Sequence, residues 1–314
     1  MSKRKWIILT ILAIVLIGIL TALYLTAKSV YGSRFNFRCT TSAKDSFDIA
    51  DFDALASTRY TFKTKQGHQL VGYLYEQNDP ALLKKGVIVF AHGFGGGGQN
   101  GYMDSFDYLT RQGYYVFAYD ATANDESEGE AVGGLPQGYI DLDYAINFVY
   151  EIEKLRGLPV GLMGYSWGAL SVTNVLNFHP EVKAVVSLAG CNRSMDLIEY
   201  HGRQMVGKAA KLLIPFAWFH EYLMYGKYAC ASAMKGFANS DCRVMIVHGA
   251  LDRTVPSEYG YDAYYKKYSS DERFVFKKYK YRDHDLLREN RGKRYLDLEL
   301  MGEITAFFDQ SMTK

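Results

Sequence analysis

The residues Gly164-Tyr165-Ser166-Trp167-Gly168 place a serine between two glycines, after an apolar segment and before one with helical spacing. Small residues in a Gly-x-Ser-x-Gly pattern permit a strained turn from strand to helix, which lifts the serine hydroxyl into a cleft. Such a serine attacks a carbonyl carbon when a base removes its proton. The pattern predicts that Ser166 is a nucleophile; the alternative is a tight turn that merely requires small residues.

A serine nucleophile needs a histidine base, and the base needs a carboxylate that orients it. Where the serine lies between a strand and a helix, the expected chain order is serine, acid, histidine. Asp252 follows a predicted strand that ends at Val247, and His284 is the only one of seven histidines after the last predicted strand. The sequence therefore predicts a triad of Ser166, Asp252 and His284. A turn-capping aspartate and a surface histidine are the alternatives.

The oxyanion formed during such an attack needs two backbone donors. One is the amide of Trp167, next after the serine, and the other is predicted to be the amide of Phe94, in a glycine-rich loop after a strand. We expect the rest of the supporting motif to be His92, Gly93, Gly164 and Gly168. The glycine run also suggests a phosphate cradle, but no Gly-Lys-Ser/Thr follows it. No Cys/His spacing predicts a metal, and the chemistry needs no cofactor.

The elements that must position these residues are read from hydrophobic periodicity. Two alternating segments, 59–65 and 69–76, predict a β-hairpin. Short apolar runs then alternate with segments of helical spacing; the runs are 86–91, 114–119, 158–163, 182–188, 242–247 and 274–279. This order predicts an α/β fold with a mostly parallel sheet, helices on both faces and a ligand site at the carboxyl ends of the strands. Residues 191–240, rich in Met and aromatic residues, predict a helical lid insertion.

The N-terminus has a different composition. Lys3-Arg4-Lys5 precede an uncharged run, Trp6 to Leu25, and about 20 apolar residues span a bilayer as a helix. Because the run is long and a bulky Leu25 precedes the plausible cut after Ala27, we expect an uncleaved signal anchor; a cleaved signal peptide is the alternative. The basic cluster predicts a cytoplasmic N-terminus and an extracytoplasmic catalytic domain. The predicted domains are the anchor (1–27), a connector (28–57) and a hydrolase domain (58–314).

Composition excludes some partners and leaves others open. The net charge of +2 over 314 residues gives no reason to expect nucleic acid. The cysteines are predicted to be mainly buried free thiols, with one or two disulfides as the alternative; they are Cys39, Cys191, Cys230 and Cys242. The oligomeric state is not readable from the sequence.

These motifs together resemble the α/β-hydrolase superfamily over residues 58–311, and within it the group of serine aminopeptidases, monoglyceride lipases and membrane-anchored bacterial esterases. The residues that carry the resemblance are His92-Gly93-Phe94-Gly95, Gly164 to Gly168, Gly249-Ala250-Leu251-Asp252 with Val255-Pro256, and His284. The resemblance implies the same roles for the triad and the two amides. One loop departs from it, since Asp120 to Gly129 lacks an arginine and two glycines that many relatives have.

The expected function is that of a serine hydrolase that cleaves a carboxylic ester through an acyl-enzyme. The aromatic lid and the anchor favour a small-molecule acyl substrate such as a lipid or short-chain ester. Three alternatives stay open: an aminopeptidase with Glu199 or Glu221 holding the substrate amine, an acyltransferase, and a non-catalytic membrane-tethered binding protein.

Overall fold

The computed structural model describes residues 2–79, 81–288 and 295–312. Its strands are β1 (Leu55–Lys63), β2 (Gln69–Gln77), β3 (Gly86–Ala91), β4 (Tyr114–Tyr119), β5 (Val160–Tyr165), β6 (Ala184–Leu188), β7 (Arg243–Gly249) and β8 (Phe274–Tyr279). Its α-helices are α1 (Lys3–Phe35), α2 (Met103–Arg111), α3 (Pro136–Glu151), α4 (Trp167–Asn174), α5 (Ser194–Val206), α6 (Ala210–Tyr225), α7 (Ala233–Asn239), α8 (Tyr261–Tyr268) and α9 (Leu298–Met312).

All eight strands form one sheet in the order β1-β2-β4-β3-β5-β6-β7-β8. The hairpin strands β1 and β2 are antiparallel, and β2 joins β4 in antiparallel register. From β4 to β8 every neighbouring pair is parallel. The predicted α/β fold with a mostly parallel sheet is confirmed.

Helices cover both faces of the sheet, as the continuous apolar strands require. Along β3, Val87 and Val89 enter the core that α3 and α4 cover, whereas Ile88 and Phe90 enter the core of α2 and α9. This alternation follows from the two-residue period of a strand. The site is therefore held by a sheet that is packed from both sides.

The long connection after β6 contains α5, α6 and α7. The structure describes all of residues 191–240, and they contain three α-helices and no strand. Helix α6 packs against both α5 and α1. The region thus has the helical content that its composition predicts, and it lies beside the N-terminal helix.

Helix α1 is longer than the predicted anchor, since it continues to Phe35. It is long and apolar enough to cross a membrane, which is also true of a signal sequence. Its apolar run is exposed, whereas Ala27, Tyr31 and Phe35 are buried against the rest of the protein. These residues are spaced four apart and so share one helix face. The first part of the predicted connector is therefore a packed helix.

The segment after α1 is also attached to the domain. Backbone hydrogen bonds join Cys39 N to Ala123 O (2.9 Å) and Asp125 N to Cys39 O (3.0 Å). Both partners lie in the loop after β4, the loop whose sequence departs from the resemblance. The carboxylate of Asp125 also accepts from Thr41 N at 2.6 Å and from Gly98 N at 2.9 Å. The altered loop thus fastens the N-terminal segment to the glycine-rich loop.

The four cysteines are unpaired in the structure. Cys39, Cys191 and Cys242 are buried, and Cys230 is exposed. Burial raises the pKa of the Cys191 and Cys242 thiols, which keeps them protonated at neutral pH. These two cysteines therefore behave as small apolar residues.

Candidate active site

Ser166 is the turn residue between β5 and α4. Its backbone has φ 57° and ψ −112°, a conformation that residues other than glycine rarely adopt. Hydrogen bonds hold this turn, from Ser166 N to Leu188 O (2.8 Å) and from Leu170 N to Ser166 O (3.0 Å). The neighbouring strand β6 and the following helix therefore impose the strained geometry on the serine.

The glycines on either side of the turn are required by close backbone packing. A Cβ atom on Gly164 would lie 2.2 Å from the carbonyl oxygen of Gly168. A Cβ atom on Gly168 would lie 1.8 Å from the carbonyl oxygen of Ala91, at the end of β3. Helix α4 thus begins in direct backbone contact with β3 and β5, which fixes Ser166 above the sheet.

The predicted triad residues lie within hydrogen-bonding distance of one another. His284 Nε2 is 2.8 Å from Ser166 Oγ, and His284 Nδ1 is 2.7 Å from Asp252 Oδ2. The other carboxylate oxygen, Asp252 Oδ1, accepts from the amides of Thr254 (2.9 Å) and Val255 (2.8 Å). In this arrangement Nδ1 donates to the carboxylate, which leaves Nε2 free to accept the serine proton.

The environment of Asp252 keeps it ionised. Burial by itself raises the pKa of this carboxyl, but the nearby rings of His248 and His284, together with the hydrogen bond from the Val255 amide, hold its pKa well below the usual range. The carboxylate is therefore ionised at neutral pH, beside the ring of His284.

Two further residues support the triad, and sequence reasoning assigned them no role. His248 is fully buried; its Nε2 donates to Val255 O at 2.8 Å and lies 3.5 Å from Asp252 Oδ2. Tyr165, the residue before the serine, donates its hydroxyl to the carbonyl of His284 at 3.0 Å. The only sequence signal for His248 was its position directly before the Gly249–Asp252 motif.

The loop that carries Phe94 lies against the serine. A Cβ atom on Gly93 would be 3.6 Å from Ser166 Cβ. His92 fixes this loop, since its Nδ1 donates to Gly93 O at 2.8 Å and its Nε2 accepts from Ala121 N at 3.0 Å. Burial lowers the pKa of His92, which keeps the ring neutral as both bonds require. His92 is thus a structural residue of the loop.

The two predicted amide donors belong to residues that border the same cavity as the serine. Phe94 and Trp167 both line it, and their rings meet edge to face with centroids 5.6 Å apart. Trp167 is the first residue of α4, so its N–H has no partner within the helix. The Trp167 amide is thus unpaired within α4, next to the serine in the chain.

The cavity itself has a volume of about 610 Å³ and is mainly apolar. Ser166 and His284 lie on its wall together with side chains from α1, α5 and α6. Of the residues that the structure describes, none that lines the cavity is an aspartate or glutamate. Glu199 pairs with Arg203, and Glu221 is buried behind the wall, where it accepts from Tyr31 Oη at 2.8 Å. Neither acid is placed to hold a substrate amine.

Comparison with known proteins agrees with the fold. A family model described as the alpha/beta hydrolase fold matches residues 86–210. An esterase of Pyrococcus furiosus superposes with a TM-score of 0.66 at 16% identity, covering 88% of this chain and 100% of its own. Acetyl xylan esterase 1 of Thermoanaerobacterium gives 0.62 at 15% identity, covering 93% of both chains.

A third similar structure is the acylaminoacyl peptidase of Pyrococcus horikoshii, with a TM-score of 0.63 at 18% identity, covering 84% of this chain and 43% of the peptidase. No curated protein matches the chain in sequence. The chain has the α/β-hydrolase fold. The narrower resemblance to serine aminopeptidases, lipases and membrane-anchored esterases stays a prediction.

Proposed function

We propose that this protein is a serine hydrolase that cleaves carboxylic esters through an acyl-enzyme. The observation that carries the proposal is the hydrogen-bonded series Ser166, His284 and Asp252, with distances of 2.8 and 2.7 Å, opening onto an apolar cavity. Three residues from separate loops meet here in the geometry that nucleophilic catalysis requires. A binding protein would need neither the series nor the strained serine.

The mechanism follows from these contacts. His284 Nε2 takes the Ser166 proton as Oγ attacks the ester carbonyl, and Asp252 stabilises the resulting imidazolium. The amides of Phe94 and Trp167 stabilise the tetrahedral oxyanion. The imidazolium then protonates the leaving alcohol, which leaves an acyl-enzyme. Water, deprotonated by His284, attacks this ester, and the acid product leaves with Ser166 restored.

The cavity favours an ester over an N-terminal peptide. An aminopeptidase needs a carboxylate that pairs with the substrate ammonium, and the described lining contains none. An apolar cavity of this size suits an acyl chain. An acyltransferase would use the same residues and differ by excluding water from the acyl-enzyme, so measured hydrolysis separates it from an esterase.

We also propose that the enzyme is anchored in a membrane by α1, with the hydrolase domain on the extracytoplasmic side. The exposed face of α6, beside α1, supports attachment because it is apolar; its most exposed side chains are Leu212, Trp218, Phe219, Tyr222, Leu223 and Met224. Lys211 and Lys227 flank this face. An apolar, aromatic face between lysines is typical of a helix in the membrane interface.

Labelling of the full chain with a fluorophosphonate, read by intact mass, tests the proposed chemistry. We expect one adduct in the wild type and none in Ser166→Ala. Asp252→Asn should lower kcat for a p-nitrophenyl ester by about four orders of magnitude, because the histidine tautomer becomes wrong. The matched control is Glu258→Gln, an exposed carboxyl in the loop after β7, which should leave kcat unchanged. A folded wild type that forms no adduct would contradict the proposal.

A further inference from the structure

We propose that the domain-proximal half of α1 forms one wall of an acyl-chain subsite, so that the anchor helix itself selects substrates by the length of an aliphatic acyl group. This inference rests on the proposed ester hydrolysis. It assigns to α1 a role in substrate binding in addition to membrane attachment.

One face of α1 lines the cavity that contains Ser166. Ala27, Val30, Tyr31 and Arg34 all border it, at the spacing of a single helix face. At the end of α1, the ring of Phe35 meets the ring of Phe94 edge to face, with centroids 5.6 Å apart. The helix therefore reaches the loop that carries a predicted oxyanion donor.

The facing wall comes from the region after β6. Leu197 of α5 and Leu213, Ile214 and Ala217 of α6 line the same cavity. Helices α1, α5 and α6 thus enclose an apolar space beside the serine hydroxyl. An acetyl group bound at Ser166 has little apolar surface to bury, whereas a long aliphatic chain would bury its surface against the three helices.

A buried carboxylate fastens the three helices together. Glu221 of α6 is fully buried and accepts hydrogen bonds from Tyr31 of α1 (2.8 Å) and from Ser194 at the start of α5. A buried carboxylate is strongly destabilising without such partners. Because α6 relies on a hydroxyl from α1, the contact of α1 with the cavity is an integral part of the fold.

The continuation of α1 indicates the source of the acyl group. Beyond Ala27 the helix runs into the exposed apolar stretch Trp6–Leu25, whose length suits a bilayer. At the junction, Tyr24 meets Phe219 of α6 with ring centroids 6.1 Å apart. The cavity wall and the predicted membrane span are thus parts of one helix, which favours an ester whose acyl chain resides in a membrane.

The test compares acyl-length profiles of full-chain variants in detergent, using p-nitrophenyl esters from acetate to palmitate. Val30→Phe narrows the cavity, and Val30→Ala widens it. The matched control is Ser29→Phe, which adds the same ring at the adjacent, exposed position. Fluorophosphonate labelling of Ser166 reports in every variant whether the site is assembled.

We expect Val30→Phe to lower kcat/KM for long-chain esters by at least about tenfold while acetate hydrolysis is retained. A single methylene in an apolar pocket changes kcat/KM by about this factor, and phenylalanine is larger than valine by more than one methylene. Val30→Ala should shift the preference toward longer chains, and Ser29→Phe should match the wild type. Opposite shifts from one position cannot arise from misfolding.

The inference would be overturned if both Val30 variants still label Ser166 but have the same acyl-length profile as the wild type. If Val30→Phe fails to label, Val30→Ala alone decides between the two outcomes. A wild type that does not label Ser166 would instead refute the proposed hydrolysis, so the two failures are distinguishable.

Discussion

At the scale of single residues, the site depends on backbone contacts that only glycine permits. Ser166 adopts a positive φ between two glycines whose missing side chains let α4 touch β3 and β5. The hydroxyl is thus positioned by the packing of the sheet and helix. His284 reaches it from the loop after β8, and Asp252, in the loop after β7, contacts His284. The reactive geometry is accordingly sensitive to atoms that take no part in the chemistry.

Gly168→Ala should destabilise the protein by about 3 kcal/mol or more, because its Cβ would lie 1.8 Å from the Ala91 carbonyl oxygen and the backbone must shift. The matched control is Gly202→Ala within α5, where an added Cβ has no neighbour within 4 Å. That variant should gain up to about 1 kcal/mol from helix propensity. Denaturant unfolding measures both, and equal stability of the two variants would refute the close contact.

At the scale of elements, the two faces of α6 differ in burial. Its inner face carries Glu221, which is fully buried, while its outer face exposes Leu212 and Leu223 at 58% of their surface. Burial raises the pKa of Glu221 to about 7, although the hydrogen bonds from Ser194 and Tyr31 oppose the shift. The helix is therefore held to its neighbours by a group whose charge changes near neutral pH.

The contribution of Glu221 to the free energy of unfolding should fall as pH rises from about 4.5 to about 7. In this window the folded protein holds the Glu221 proton that the unfolded chain, with an ordinary glutamate, releases. The titratable groups that face Glu221 are the phenols of Tyr31, Tyr139 and Tyr225. Tyrosines ordinarily ionise near pH 10, which lies outside this pH window. Glu221→Gln removes this dependence.

The free energy of unfolding of Glu221→Gln, relative to wild type, should therefore rise by up to about 3 kcal/mol between about pH 4 and pH 8. Asp120 and Asp141, whose pKa values burial also raises to about 7, contribute equally to both proteins and cancel. Glu272→Gln, at an exposed carboxyl, serves as the control and should give a constant difference. A constant difference for Glu221→Gln as well would be inconsistent with the shifted ionisation.

At the scale of the whole molecule, α1 has two parts with different surroundings. Its first part is exposed and apolar, and its second part is packed on the domain through Ala27, Tyr31 and Phe35. The following segment continues the attachment through Cys39 to the loop after β4. The boundary between the exposed apolar run and the packed part of the protein therefore lies inside one continuous helix.

Two truncated chains should separate these parts. A chain that begins at Thr26 loses the exposed apolar run and should keep fluorophosphonate labelling and stability. A chain that begins at Arg38 also loses Tyr31 and Phe35 and leaves Glu221 without one partner, so it should be less stable by about 5 kcal/mol or more. Thermal unfolding compares them, and equal midpoints would show that α1 does not stabilise the domain.

Local pattern was sufficient for the strands of the sheet. The limits of β3, β4 and β8 agree with the apolar runs 86–91, 114–119 and 274–279. Other limits differ by a few residues; β1 begins at Leu55, four residues before the predicted segment. Helix α8 was not predicted, because its tyrosines and lysines give only a weak periodic signal. Strand ends are set by pairing with neighbours, which periodicity does not record.

The sequence by itself determined the fold class and the candidate triad, because hydrophobic period and glycine spacing are local and the chain order of serine, acid and histidine is one-dimensional. Only the tertiary structure placed His248 and Tyr165 beside the triad and α1 on the cavity wall. The contact of Tyr165 with His284 and those of α1 with the cavity join residues far apart in the chain. They depend on how helices pack across the sheet, a three-dimensional relation that leaves no periodic trace in the sequence.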